Sequence, residues 1–235
     1  MGLKRIQLGL IHVAVAITLV PINSTLNRVM IKELAISATV VAVLVSLPYV
    51  LSPIQVAIGS YSDRNPVLGL RRTPYILFGL LLCVVGALLA PYAAFALAAG
   101  GVLGALLSVL AFGLWGMGYN LSAVCYLSLA SEIDPARRSR TIATMFFLMI
   151  VGIIVMAILI GQIVDPYSPE ALYRAFWLAG SVALALGVLG LVRLEKRLAA
   201  GEGMPAERHT WGEMFRAVFG NHQARRFFWY LILLL

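Results

Sequence analysis

The side chains best suited to chemistry lie in one charged loop between two apolar stretches. Asp63 and Arg64 follow Gly59 closely, and Gly69 precedes Arg71 and Arg72. Carboxylates and guanidinium groups at such spacings form ion pairs that can hold helix ends together, and a glycine lets two helices approach closely. We predict an electrostatic latch in this loop. The alternative is a solvated basic turn that only sets topology, and the Asp-Arg spacing after Gly59 argues against it.

A second charged segment follows a later apolar stretch. Glu132 stands at one predicted helix end, and Arg138 and Arg140 precede the next helix. Together with the first loop, these charges could form a network on one side of a membrane. Such a network would loosen when helices rock during alternating access. The same charges could also lock a scaffold that transports nothing.

The elements that must position these charges are apolar helices. The chain has 235 residues, 61% hydrophobic and 12% charged, with a mean hydropathy of +0.94, well above an ordinary soluble domain. A membrane-spanning helix needs roughly 20 apolar residues. Six runs meet that length: 6–27, 36–60, 74–98, 101–131, 141–164 and 170–192. We therefore predict an all-α integral membrane protein in contact with the lipid bilayer.

The Lys and Arg residues predict the orientation of these helices. The formal net charge is +8, and of the 18 basic residues only Arg28, Lys32 and Arg174 fall on one side of the predicted membrane. Basic residues concentrate in cytoplasmic loops, so the N-terminus and the loops containing Arg64 and Arg138 are predicted to be cytoplasmic. The basic excess thus has a topological explanation and does not indicate a nucleic-acid partner.

The order of the segments predicts a half of a larger fold. A six-helix bundle over 1–194 is followed by a polar linker over 195–225 and by the start of a seventh helix over 226–235. This layout resembles the N-terminal half of the major facilitator fold, and the chain is expected to be part of a longer polypeptide. The loop from Gly59 to Arg72 resembles the facilitator signature G-x-x-x-D-R-x-G-R-R, with an insertion.

Polar side chains inside the predicted spans are candidate cavity residues, because such groups are costly in hydrocarbon. Asn23, Thr25, Asn27 and Arg28 form the densest cluster, and Asn23 and Asn27 share a helical face at spacing i, i+4. They could line a central cavity, or the helix could leave the membrane near Asn23. Asn120, in the fourth span, is a further candidate, with a hydrogen bond between helices as the alternative.

The sequence contains no recognisable catalytic constellation. It lacks a nucleophile with a nearby base, a Cys/His metal-binding spacing and a phosphate-binding Gly-Lys-Ser/Thr loop. Cys83 and Cys125 fall inside apolar spans and are predicted to be small buried side chains rather than a disulfide or a metal site. We predict that the chain is not an enzyme and holds no metal of its own.

Several longer stretches resemble one branch of the facilitators, the PucC family of bacteriochlorophyll-delivery proteins. These stretches are Thr25–Ile31 with Glu33-Leu34, Gly69–Ile76, Gly118–Asn120, Tyr126–Glu132 and Arg138–Thr141. The resemblance runs along nearly the whole chain.

The resemblance implies an assembly role in the photosynthetic membrane of a phototroph. Such a protein would pass chlorophyll or bacteriochlorophyll, bound as cargo, to antenna or reaction-centre subunits, or would hold the apoprotein during insertion. His12 lies within a span and could ligate a pigment magnesium, with a hydrogen bond to a neighbouring helix as the alternative. The rival function is a secondary transporter for a small folate- or biopterin-like solute, using the cluster from Asn23 to Arg28.

Overall fold

A computed structural model describes residues 2–52, 54–133 and 135–195, together with Gly220, His222 and Arg226. Contacts divide the chain into one unit at Met1–Gly201 and another at Glu202–Leu235. Apart from Glu195 and those three isolated residues, the predicted linker over 195–225 and the predicted seventh helix over 226–235 lie outside the described part. The fold below is that of the first unit.

The described part of the first unit is built of helices. They are α1 (Gly2–Ile17), a π-helix (Pro21–Leu26), α2 (Asn27–Lys32), α3 (Ala38–Val50), α4 (Ile54–Arg64), α5 (Thr73–Ala98), α6 (Val102–Ile133), a 3₁₀ turn (Pro135–Arg137), α7 (Arg138–Val164) and α8 (Pro169–Leu191). In the described residues, five helical segments are long and apolar enough to cross a membrane: Gly2–Lys32, Thr73–Ala98, Val102–Ile133, Pro135–Val164 and Pro169–Leu191. The prediction of a helical membrane protein is confirmed at this level.

The run predicted at 36–60 differs from the other five because its helix is broken. Pro53 has no amide hydrogen to give to the Tyr49 carbonyl, and the Ser52 amide donates to that carbonyl instead, at 3.1 Å. The chain therefore tightens after α3, and α4 begins at Ile54. Neither half, of 13 and 11 residues, is long enough to cross a membrane alone.

The first spanning segment is also irregular. Between α1 and α2 the chain widens into the π-helix, which starts at Pro21 and ends at Leu26. Such widened turns shift the helical phase of everything that follows them and are frequent at functional sites. Asn23 and Asn27 therefore do not keep the i, i+4 relation of a regular α-helix.

Helices α5 and α6 pack with their backbones nearly touching, and glycines make this possible. A Cβ on Gly86 would overlap the backbone of Trp115, and a Cβ on Gly118 would overlap the backbone nitrogen of Cys83. Gly113, also on α6, has no atom within 4 Å of a Cβ. The close packing of α5 against α6 therefore requires a glycine at Gly118, whereas Gly113 lies where no described atom is within 4 Å of an added Cβ.

Candidate functional site

Three helix ends meet at one buried guanidinium group. The Arg72 side chain is only 7% exposed, and its Nη2 lies 2.9 Å from an Asp63 carboxylate oxygen and 2.7 Å from Glu132 Oε1. Asp63 lies in the last turn of α4, Arg72 precedes α5, and Glu132 lies in the last turn of α6. Because one cation bridges two carboxylates, these helix ends are held together more firmly than by an exposed surface pair.

Glu195 extends this cluster through the backbone. Its carboxylate accepts hydrogen bonds from the amides of Arg71 at 2.9 Å, Arg72 at 3.1 Å and Thr73 at 2.8 Å. These amides lie at the start of α5, where no intrahelical acceptor exists and where the helix dipole favours a negative charge. Glu195 thus caps α5, while the Arg71 side chain adds a 3.1 Å pair with Glu132.

The start of α1 binds the segment that carries Glu195. Lys4 Nζ donates to the Leu194 carbonyl at 3.0 Å, and Gln7 Nε2 donates to the Val192 carbonyl at 2.7 Å. The residues after α8 therefore lie across the bundle end and join α1 to α5. We call Asp63, Arg71, Arg72, Glu132 and Glu195 the helix-end cluster.

Other residues predicted for the latch lie outside this cluster. Arg64 turns back onto its own helix, where its Nε donates to the Ser60 carbonyl at 3.0 Å. Arg138 and Arg140 are exposed and form no ion pair with any residue that the structure describes. The structure thus brings together four of the predicted charged residues and adds Glu195.

The two glycines of the predicted signature have different roles. Gly69 has φ +77° beside Leu68 at +55°, in a tight turn closed by hydrogen bonds between Val67 and Leu70, so its backbone favours glycine. A Cβ on Gly59 would lie 3.6 Å from Val124 Cγ2, an ordinary contact. The expectation that Gly59 permits a close helix approach is therefore wrong.

A second polar site surrounds the break between α3 and α4. Asn120 is buried on α6, and its Nδ2 donates at 2.8 Å to the Pro48 carbonyl. That carbonyl has lost its usual donor, since the Ser52 amide bonds to Tyr49. Gln55 Nε2 in turn donates to Asn120 Oδ1. The Asn120 side chain thus binds both halves of the broken helix. This is the hydrogen bond between helices that the sequence analysis gave as the alternative for Asn120.

Asn120 and Gln55 also line a cavity of 230 Å³. Asn23 lies on its wall, beside the rings of Trp115 and Tyr119. The cavity combines amide groups with aromatic faces, a lining that can both hydrogen-bond and stack on a ligand. Asn23 and Asn120 thus share this cavity wall, and their role in binding a ligand stays a prediction.

The rest of the cluster predicted around Asn23 faces elsewhere. Thr25 and Arg28 line a different cavity, of 500 Å³, against the end of α7, whereas the half-buried Asn27 lines neither of these two cavities. The structure thus places Asn23 and Asn27 apart with respect to these two cavities, and a shared central cavity for the pair stays a prediction.

Removing the Asn120 side-chain amide should loosen α4. In Asn120→Leu the Pro48 carbonyl loses its donor and Gln55 loses its acceptor, at about 0.5–2 kcal/mol for each hydrogen bond within a membrane. We expect faster hydrogen exchange at the α4 amides, measured by mass spectrometry in detergent. Asn23→Leu is the control, because Asn23 lines the same cavity without a hydrogen bond to the described residues. Equal exchange in both variants would contradict this role.

His12 is packed between two aromatic rings. It is 6% exposed, with ring centroids 5.2 Å from Tyr126 and 4.9 Å from Phe146. Its Nδ1 has no hydrogen-bond partner among the described residues, and it lines neither cavity described above. A chlorin macrocycle does not fit between rings at these distances, so ligation of pigment by His12 stays a prediction that requires α7 to move.

A buried polar group that sequence reasoning missed lies between α1 and α6. Trp115 Nε1 donates to Thr18 Oγ1 at 3.3 Å, and Thr18 Oγ1 lies 3.2 Å from Cys83 Sγ.

Cys83 and Cys125 are both buried free thiols, as predicted. Within the described ranges, no group of three or more His, Cys, Asp or Glu residues could hold a metal ion.

The fold and the sites together define a class: a helical membrane protein whose helices are joined at one end by a charge cluster around a buried arginine. A family model described as "PUCC protein" matches residues 25–235, and the chain belongs to that family. It is 36% identical over 239 residues to "Bacteriochlorophyll synthase 44.5 kDa chain" of Rhodobacter capsulatus, covering 98% of this chain and 53% of that protein.

Two further relatives carry the name "Protein PucC". The one from Rhodovulum sulfidophilum is 31% identical over 242 residues, covering 96% of this chain and 52% of that protein. The one from Cereibacter sphaeroides is 30% identical over 230 residues, covering 94% and 50%. The chain thus spans about half the length of the curated relatives it matches.

Proposed function

We propose that this chain is part of a membrane assembly factor for photosynthetic complexes that bind chlorophyll or bacteriochlorophyll. It would assist pigment delivery or apoprotein insertion, with the pigment as cargo rather than as a resident cofactor. The observation that carries the proposal is the family match over residues 25–235. Apolar helices with large exposed side chains support it, because such surfaces suit contacts inside a bilayer.

The proposed role is not catalytic, although one relative is named a synthase chain. The sequence offers no nucleophile with a neighbouring base. Its charged side chains instead join helix ends, in the helix-end cluster. Such a cluster suits control of conformation better than bond making.

The proposed architecture is the N-terminal half of a major facilitator fold, with the N-terminus in the cytoplasm of a phototroph. The broken second helix supports this proposal, because discontinuous helices are common in transporter folds. The distribution of Lys and Arg supports the orientation. In this proposed orientation the helix-end cluster lies on the cytoplasmic side of the membrane and acts as a latch.

The surface proposed to meet antenna or reaction-centre subunits is the apolar face of α7. It exposes Phe147, Ile150, Ile154 and Ile158, each more than half accessible. These side chains follow one another at helical spacings of three or four residues and form one continuous stripe. A transmembrane helix of a small antenna subunit could pack along this stripe, with lipid covering it otherwise.

Purification from a phototroph in mild detergent tests the proposed function. The tagged protein, expressed at native level, is expected to retain pigment absorption and to carry antenna or reaction-centre subunits. Phe147→Ala with Ile154→Ala should reduce that recovery, because both changes remove exposed area from the α7 stripe. A tagged unrelated membrane protein is the control. Recovery of neither pigment nor photosynthetic subunits above that control would reject the proposal.

The second candidate function is secondary transport of a small folate- or biopterin-like solute. The observation favouring it is the 230 Å³ cavity, whose lining includes Asn23, Gln55 and Asn120 together with the aromatic residues Trp115 and Tyr119. Planar heterocycles with hydrogen-bonding edges suit such a lining. Uptake of labelled solute by cells expressing the protein, abolished by Asn23→Leu, would favour this function over assembly.

A further inference from the structure

The larger cavity, of 500 Å³, opens beyond the stretch where α1 and α7 touch, between the π-helix and α2 on one side and the end of α7 on the other. A Cβ on Gly9 would overlap the Leu148 side chain, and a Cβ on Gly152 would overlap Val13, so the helices touch along this stretch. At Gly161, nine residues beyond Gly152, no atom lies within 4 Å of a Cβ. The opening thus lies at the end of α7, away from the helix-end cluster. The end of a membrane-spanning helix is expected near the lipid headgroups.

The polar wall of this cavity carries one positive and one negative side chain. Arg28 and Asp165 both line the cavity. The Arg28 side chain is 67% exposed and pairs with Glu33 rather than with Asp165, at a distance of 3.9 Å. Asp165 forms no ion pair with the residues that the structure describes. Two opposite charges that do not neutralise each other present a complementary surface to a ligand with both signs.

Neutral hydrogen-bonding groups accompany these charges. The hydroxyls of Ser24 and Thr25 come from the π-helix, and Tyr167 stands on the opposite side. Burial, together with the nearby Glu33, Tyr173 and Glu170, raises the pKa of the Tyr167 phenol. The phenol therefore stays protonated at neutral pH and can donate a hydrogen bond to an acidic group.

The floor of the cavity is apolar. Val29 from α2 and Ile160 from α7 are both buried there, next to the open space at Gly161. Because Val29 and Ile160 are each only 2% exposed, the apolar lining open to a ligand comes mainly from Ala157 and Val164. A zwitterion attached to hydrocarbon chains would cover this lining, at about 25 cal/mol for each Å² of apolar surface removed from water.

We infer that this cavity binds the headgroup and first chain carbons of a zwitterionic phospholipid with a primary amine, phosphatidylethanolamine. Its phosphate lies against Arg28, its ammonium group against Asp165, and its acyl carbons against Ala157 and Val164. A primary amine is specified because it can donate hydrogen bonds to the Asp165 carboxylate, whereas the quaternary amine of phosphatidylcholine cannot. The inference does not depend on the proposed assembly function.

Native mass spectrometry of the delipidated full chain, with lipids added back singly, tests this inference. Phosphatidylethanolamine should be retained more strongly than phosphatidylcholine or phosphatidylglycerol. Gly161→Leu should abolish the difference by filling the cavity. Gly113→Leu is the matched control, because it places the same side chain on α6 where nothing lies within 4 Å, and it should bind like the parent protein.

Two charge variants test the inference without filling the cavity. Arg28→Gln and Asp165→Asn change exposed side chains, and each removes a charge-assisted hydrogen bond, so each should weaken phosphatidylethanolamine binding by roughly tenfold. Three results would overturn the inference: equal retention of phosphatidylglycerol, stronger lipid binding in Asp165→Asn, or displacement of the lipid by free glycerophosphoethanolamine. The first two indicate an anion site, and the third a site for a soluble zwitterion.

Discussion

Gly118→Ala is expected to destabilise the bundle by about 3 kcal/mol or more, at the upper end of what overpacking costs. An added methyl group at this position would overlap the backbone nitrogen of Cys83 and the carbonyl oxygen of Gly79. Backbone atoms inside α5 cannot turn away as the end of a flexible side chain could. The two helices must therefore separate over several turns, with loss of the packing between them.

The matched control for this change is on the same helix. Gly113→Ala adds the same methyl group where no atom lies within 4 Å, and alanine favours a helix over glycine by up to about 1 kcal/mol. Thermal unfolding in detergent should therefore show a lower transition temperature for Gly118→Ala and an unchanged or higher one for Gly113→Ala. Equal transition temperatures would mean that α5 and α6 are not in backbone contact.

Hydropathy predicts most of this fold because a spanning helix must be long and apolar. It does not locate the break between α3 and α4, since the run 36–60 is apolar on both sides of the break. Pro53 is the visible signal, because it removes the amide hydrogen that would continue the helix. The π-helix at Pro21–Leu26 has no comparable signal, as a proline can also start or kink an α-helix.

The helix-end cluster was predictable only in part. The spacing in the loop indicates that Asp63 pairs with an arginine, but Arg64, Arg71 and Arg72 are all plausible partners from sequence. Helical phase decides among them, since Arg64 lies beside Ser60 on its own helix and Arg72 alone points to both carboxylates. Glu195 is further away in sequence, and its role requires the chain after α8 to fold back across the bundle end.

These contacts give the short helix α4 two attachments. At its start Gln55 binds Asn120 on α6, and at its end Asp63 binds Arg72 next to α5. At the break, three-residue turns replace the regular helical hydrogen bonds: the Ile54 amide donates to the Leu51 carbonyl at 3.1 Å and the Gln55 amide to the Ser52 carbonyl at 3.0 Å. α4 is therefore joined to α3 by a tightened turn, and Gln55 at its start lines the 230 Å³ cavity.

Arg72→Gln is expected to open the second attachment. Asp63 would then lose its cation, and Glu132 would keep only its pair with Arg71. The Asp63 and Glu132 side chains are 40% and 39% exposed, so solvent moderates the loss to about 1–3 kcal/mol, below that of a fully buried pair. Arg71→Gln removes only one contact, to Glu132, and should cost less than half as much in the same thermal unfolding experiment.

A functional comparison separates a latch from a merely stabilising cluster. Asp63→Asn keeps the shape of the side chain but removes its charge, and it should impair complementation of a deletion strain while the protein still inserts into the membrane. Arg72→Lys keeps the charge but lacks the planar group that reaches both carboxylates, so it should restore stability only in part. Full complementation by Asp63→Asn, with normal protein levels, would show that the cluster holds the helices together without controlling function.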